Sequence, residues 1–357
     1  MRNTGKLPVL GIFILCSMTL FGQQTKRVLF LGNSYTYVND LPQLLADIAG
    51  STGKTVIFDM NAPGGYYLGE HLTNPTSLAK IASGNWDHVV LQEQSMALAY
   101  PSTYMNFISY SVKLDSIIKV HNPCARTMFY STWGRRPGDS YLCTPPECAV
   151  NTTITRTYYE MDSTITAHYK AFADSVKASM TPVGAAWRYI RQNYPSIELF
   201  QADESHPSLA GSYAAACCFY ATVFRSDPTF ITFNSGLSVS DATAIKYAVK
   251  QIVYDHLSDW NVGPYDYLLD AGCLVSEVGE EITNDYWTVS PNPVTDVLHV
   301  KFSGNNAKHK VYMYTVTGAL MKEMEVEQTA TISFDELSGG LYIIRSDGGH
   351  TVRIVKE

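Results

Sequence analysis

The chain is short of charge, and of positive charge most of all. Lys and Arg number 26 against 33 Asp and Glu, and charged residues make up 17% of the 357. No basic stripe offsets that balance, which argues against nucleic acid as a partner. Long apolar runs are missing beyond the first two dozen residues, so no later segment reads as a membrane-spanning helix. Cysteine is sparse, with seven in all, and no Cys/His spacing matches a zinc site. Neither a metal nor an organic cofactor is expected. What remains is 46% hydrophobic, the composition of a globular protein with a real core. Tyrosine is plentiful, at 24 residues. Its flat apolar face and polar tip suit sugars, and suit half-buried strand positions equally.

The N-terminus carries a charged start (Arg2, Lys6), an uncharged apolar run over residues 7–21, and Gly22. That pattern predicts a secretory signal peptide over residues 1–22 and a chain exported through the periplasm. Leu15 before Cys16 does not fit a lipoprotein signal, so no lipid anchor is expected. Export permits disulfides. The Pro-Pro turn inside Cys143-Thr-Pro-Pro-Glu-Cys148 predicts one between those two cysteines. Cys217 and Cys218 sit in an Ala-rich helical run and read as small core residues.

From residue 27 to about 224 short apolar runs alternate with helical patterns. Residues 27–31, 55–60, 88–91, 127–130 and 175–183 read as strands. Residues 41–48, 72–83, 105–120, 153–173, 184–193, 209–224 and 241–260 read as helices, and 137–151 as a loop. The alternation predicts an α/β fold, a doubly wound parallel sheet, over residues 23–260. Residues 261–285 read as a linker. Beyond it, short alternating runs separated by Gly-rich turns predict a small β-sandwich over residues 286–357, with 322–327 as a solvated edge.

Doubly wound sheets hold ligands at the carboxyl ends of their strands. The first strand ends in Gly32-Asn33-Ser34-Tyr35-Thr36. A serine there can offer its hydroxyl to a substrate, although the stretch also suits a plain turn. After the second strand, Gly64-Gly65 allow close backbone approach, and either N–H could face an anionic oxygen near Ser34. After the third strand comes Gln92-Glu93-Gln94-Ser95. Side chains alternate along a strand, so Gln92 and Gln94 share a face and either amide could donate to an oxyanion. A serine nucleophile needs a base, and the base needs a group to hold its tautomer. Of nine histidines, His206 has a nearby carboxylate, Asp203, and a proline after it. The same segment would also serve as a capped helix start, with Asp203 or Ser208 as the cap.

Taken in order, Gly32-Asn33-Ser34, the paired glycines, the polar block after the third strand and Asp203-x-x-His206-Pro207 resemble the SGNH, or GDSL-like, hydrolases over roughly residues 27–260. The blocks Leu31-Gly32-Asn33-Ser34-Tyr35-Thr36, Val90-Leu91-Gln92-Glu93-Gln94-Ser95, Thr132-Trp133-Gly134-Arg135 and Pro182-Val183-Gly184-Ala185-Ala186-Trp187 are similar to a Bacteroidetes-type branch. The resemblance implies Ser34 as nucleophile, His206 as base and Asp203 as its orienter. It implies an oxyanion hole built from the N–H of Ser34, that of Gly64 or Gly65, and the amide of Gln92 or Gln94. Tyr35, Tyr66 and Trp133 are the expected substrate contacts. Two departures stand out: Asn33 replaces the family's usual Asp, and the third block lacks Gly-x-Asn-Asp. The expected function is a secreted serine esterase that removes acyl, chiefly acetyl, groups from carbohydrate. The alternatives are a lipase or thioesterase, or a non-catalytic glycan-binding surface protein on the same fold.

The C-terminal segment resembles a second family. Ser290-Pro291-Asn292-Pro293, Tyr314-Thr315-Val316-Thr317-Gly318, Leu337-Ser338-Gly339-Gly340-Leu341-Tyr342 and the closing Val352-Arg353-Ile354-Val355-Lys356 are similar to the type IX secretion sorting domain. That implies the type IX machinery as a partner and a secreted or surface location.

Overall fold

The computed structural model describes residues 24–145, 148–266, 286–303, 308–315, 320–347 and 351–356. The expected signal peptide and residues 267–285 of the expected linker lie outside this set. The strands of the first unit are β1 (Thr25–Leu31), β2 (Thr55–Asn61), β3 (His88–Leu91), β4 (Arg126–Ser131), β5 (Asp139–Cys143), β6 (Thr152–Arg156) and β7 (Ser179–Pro182). Its helices are α1 (Ser34–Tyr37), α2 (Leu41–Gly50), α3 (Leu68–His71), α4 (Pro75–Ala82), α5 (Pro101–His121), α6 (Tyr158–Val176), α7 (Val183–Asn193), α8 (Leu209–Phe224) and α9 (Val239–Ile252).

Five strands form one parallel sheet in the order β2-β1-β3-β4-β7. The middle strands are apolar along their whole length because helices cover both faces. Val28, Phe30, Val90, Met128 and Tyr130 pack on one face with α2, α7, α8 and α9. Leu29, Leu31, Val89, Leu91 and Phe129 pack on the other with α5 and α6. The chain steps from β1 outward to β2, then returns past β1 to β3. β1 and β3 therefore flank the point where the winding reverses, the crevice where such sheets hold ligands.

The doubly wound sheet matches expectation, with local departures. Residues 137–151 were expected to be loop and 153–173 helix. Instead β5 and β6 form an antiparallel hairpin, with Cys143 opposite Thr152. The Cys143–Cys148 disulfide, with Cα atoms 5.8 Å apart, closes its tip. Helix α6 starts only at Tyr158, where Thr157 and Glu160 form a capping box. Of the predicted 72–83 helix only α4 forms, starting at Pro75 with Asn74 as its N-cap, and α3 is a separate turn ahead of residue 72. The predicted 241–260 helix ends at Ile252 and continues as a 3₁₀ turn over Tyr254–Trp260. Cys217 and Cys218 are buried and reduced, as expected. Among the described residues no helix is long and apolar enough to cross a membrane.

The C-terminal unit holds β8 (Tyr286–Ser290), β9 (Val297–Ser303), β10 (His309–Thr315), β11 (Leu320–Val326), β12 (Thr329–Ser333), β13 (Gly340–Ser346) and β14 (Thr351–Lys356). Antiparallel sheets β11-β10-β13-β14 and β12-β9-β8 share one core, with Leu298, Val300, Val311, Ile332, Ile344 and Ile354 turned inward. This is the expected small β-sandwich. The charged stretch after residue 320 is an edge strand exposed along most of its length.

Candidate active site

Ser34 opens α1 immediately beyond β1. The turn before it is held from several sides. The Asn33 side chain accepts from Tyr35 N–H at 3.1 Å and donates to the Tyr66 carbonyl at 2.9 Å. Its backbone N–H donates to Gln92 Oε1 at 2.8 Å, and Thr36 Oγ1 donates to the same oxygen at 3.0 Å. Gly32 is required here, because a Cβ would lie 2.5 Å from Gln92 Oε1. The Asn33 that departs from the family pattern thus caps α1 and ties the first block to the second.

His206 and Asp203 arrive on the loop before α8. Asp203 Oδ1 accepts the N–H of Ser205 at 3.1 Å and of His206 at 3.0 Å, a local turn that leaves Oδ2 on His206 Nδ1. The other ring nitrogen, Nε2, lies 2.7 Å from Ser34 Oγ. A carboxylate can only accept, so Nδ1 carries the proton and Nε2 accepts from the Ser34 hydroxyl. Burial alone would raise the Asp203 carboxyl, but the bonds from His206 and from the His206 and Ser205 N–H groups outweigh it and hold it below its usual range. Asp203 therefore remains ionised at neutral pH. Ser208, not Asp203, caps α8, accepting from Gly211 N–H at 3.1 Å.

An aromatic stack backs the histidine. Trp187 stacks on Trp133 at 3.8 Å, Trp133 on Tyr35 at 4.7 Å, and the Tyr35 ring meets His206 edge-on at 5.4 Å. Trp133 Nε1 donates to the Ser205 carbonyl at 3.0 Å, and the Tyr35 and Ser205 hydroxyls are 2.6 Å apart. This corrects two expected substrate contacts. Trp133 is 0% exposed and Tyr35 3%. They cannot meet a substrate; they fix the loop that carries His206. Close packing of α7 on β4 completes the arrangement, since a Cβ on Gly184 would fall 2.3 Å from the Thr132 carbonyl. Tyr66 is half-buried, edge-on to His71 at 5.3 Å, and its hydroxyl accepts from Asn74 at 3.2 Å.

The expected oxyanion donors separate into two kinds. Gly64 and Gly65 form a turn closed by Tyr66 N–H to the Pro63 carbonyl at 3.3 Å, with Gly65 at φ +77°. Their N–H groups, and that of Ser34, have no acceptor among the described residues. Gln92 is a correction: its amide nitrogen donates to the Glu93 carbonyl at 2.5 Å while its oxygen holds Asn33 and Thr36. Flipping it would set a donor against the Asn33 N–H, so the fully buried Gln92 is a brace for the serine turn, with one amide N–H spent on Glu93. Gln94 differs. Its oxygen accepts from Met96 N–H at 2.7 Å, which leaves its amide N–H₂ without a partner.

Two supports escaped the sequence reading. His71 is fully buried, with Nε2 3.0 Å from the Gly32 carbonyl and Nδ1 2.7 Å from Ser77 Oγ. Burial lowers its pKa, so it stays neutral, donating to Gly32 and accepting from Ser77. Glu93, 1% exposed, accepts the N–H of Leu68 at 3.0 Å and of Gln94 at 2.6 Å. It thereby joins the start of α3 to the Gln94 loop. Burial pushes its carboxyl from 4.5 up to about 7. Between those values the native chain binds more protons than the unfolded one, so stability falls as pH rises through that window and is level above it. Glu93→Gln should remove this slope. Relative to the native chain, the variant should gain on the order of 3 kcal/mol between about pH 4.5 and about pH 8 in urea titrations. Parallel stability curves for the two proteins would contradict it.

The described sheet and its flanking helices share their fold with a solved structure. A DUF4886-family protein from Bacteroides uniformis ATCC 8492 superposes with a TM-score of 0.54 at 18% identity, over 66% of this chain and 95% of that one. A protein from Slackia heliotrinireducens described as a candidate SGNH hydrolase gives 0.44 at 27% identity, over 56% and 100%. A carbohydrate esterase family 3 structure from Talaromyces cellulolyticus gives 0.42 at 12% identity, over 56% and 97%. Residues 288–357 match the family model of the secretion system C-terminal sorting domain. That domain indicates handling by the type IX secretion system, hence export to the surface or the medium. No curated protein matches the chain.

Proposed function

We propose that the chain is an exported serine esterase that hydrolyses acyl esters, chiefly acetyl esters of carbohydrate, through an acyl-enzyme. The observation that carries this reading is the continuous row from Ser34 Oγ through His206 to Asp203. His206 takes the Ser34 proton as Oγ attacks the ester carbonyl. Asp203 holds the imidazole and stabilises its charged form. The N–H groups of Ser34 and of Gly64 or Gly65, with the Gln94 amide, receive the negative oxygen. His206 then returns the proton to the leaving alcohol. Water, activated by the same imidazole, releases the acid and restores Ser34. No step calls for a metal or organic cofactor.

Exposed Tyr37 and Tyr67 flank the Gly64–Gly65 turn and support a carbohydrate alcohol. We assign residues 1–22 to a signal peptide, 23–260 to the hydrolase, 261–285 to a linker and 286–357 to the sorting domain. A panel of p-nitrophenyl esters and acetylated sugars tests the activity. Acetyl esters should be preferred, and Gln94→Ala should lower kcat by about 10²–10³-fold. A preference for long acyl chains would support the lipase or thioesterase reading. Glycan binding without hydrolysis of any ester would support a non-catalytic one.

A further inference from the structure

Between the start of α3 and the first turns of α5 lies a cavity of about 280 Å³ lined by Tyr67, Glu70, Glu93, Asn106, Phe107 and Tyr110 among others. It borders both blocks that carry candidate oxyanion donors. Tyr67 follows Tyr66, whose carbonyl is bonded to Asn33, and Glu93 precedes Gln94. Glu93 Oε1 is fully used by two backbone N–H groups, while Oε2 has no partner among the described residues. An almost wholly buried carboxyl oxygen without a partner, at the wall of a cavity, is suited to receive a ligand's hydrogen-bond donor. The Asn106 amide, at the exposed side of the same cavity, is also unpartnered.

We propose that this cavity is a saccharide subsite that holds one pyranose ring of the substrate's alcohol portion. Glu93 Oε2 and the Asn106 amide bind its hydroxyls, and the tyrosine rings pack on its apolar face. The inference rests on the esterase reading for its place in catalysis, but not for the binding itself. Three features select this ligand class. The volume suits one ring. Aromatic walls with a few fixed polar groups are what a sugar's alternating apolar and hydroxylated surfaces require. An acyl chain would leave the buried Glu93 oxygen unsatisfied, and among the described residues no Lys, Arg or His lines the cavity to hold an anion.

The test is ligand-observed NMR on the full chain with a set of methyl pyranosides, choline and hexanoate as separate probes. At least one pyranoside should bind. Asn106→Trp, which plugs the exposed side, and Glu93→Gln, which puts a donor where the acceptor was, should each weaken it at least tenfold. Asn106 is exposed, so its variant remains informative if Glu93→Gln folds poorly. Binding of no pyranoside, binding unchanged by Asn106→Trp, or a preference for choline or hexanoate would overturn the proposal. Pyranoside binding with no hydrolysis of any ester would retain the subsite and sink the esterase reading. Hydrolysis of p-nitrophenyl acetate with no pyranoside binding would do the reverse.

Discussion

Ser34→Ala should lower kcat on p-nitrophenyl acetate by at least about 10⁴-fold while leaving the melting temperature nearly unchanged. The Ser34 hydroxyl makes one side-chain contact, to His206 Nε2. Its loss therefore removes the nucleophile without leaving a deeply buried group unpaired. The braces of the turn do not involve the hydroxyl: Asn33, Gln92 and His71 act on the backbone and on Thr36. KM should change little, because the oxyanion donors and the substrate surfaces remain. Turnover within about tenfold of the native chain would mean that Ser34 is not the attacking group.

His206→Ala should cost about as much, on the order of 10⁴-fold, because Ser34 and His206 act as one unit and their losses do not add. The double variant should be no slower than either single one. The histidine is half-buried, so removing its ring opens a space that solvent can reach. Added imidazole should restore part of the rate to His206→Ala and none to Ser34→Ala. Equal rates with and without imidazole, combined with a loss below tenfold, would remove His206 from the reaction. Asp203 remains bonded to the Ser205 N–H in either case, so the loop keeps its shape.

The residues that meet within a few positions were the most readable. Asp203 and His206 are three apart, and the carboxylate reaches both the ring and the backbone of its partner through that local turn. Ser34 was legible because a buried strand of known period ends just before it, and the switch point of the sheet lies there. Contacts set by packing were not legible. Trp133 stands two residues beyond a strand end, where an aromatic can face either solvent or core. Only the stack with Trp187, more than fifty positions later, decides for the core. Strand alternation predicts Gln92 and Gln94 on one face, but the strand ends at Leu91 before either. Alternation could not show that Gln92 is fully buried with an amide N–H on Glu93 while the Gln94 amide nitrogen has no partner among the described residues. His71 gave no sign at all, since it lies on a one-turn helix and its partner Gly32 is 39 positions away. The β5–β6 hairpin was missed because its strands are short and largely polar, while the Thr157-x-x-Glu160 capping signal that ends it was present in the sequence.

The central claim is that Ser34 is a nucleophile activated by His206. A fluorophosphonate probe reports on this directly, because it forms a stable covalent adduct only with an activated serine. After incubation with the full chain, intact-mass and peptide measurements should show one adduct per molecule, on the peptide holding Ser34. His206→Ala should abolish it, and prior exposure to an acetyl ester substrate should slow it. An unlabelled Ser34 in a chain that hydrolyses esters, or an adduct on a different serine, would contradict the account.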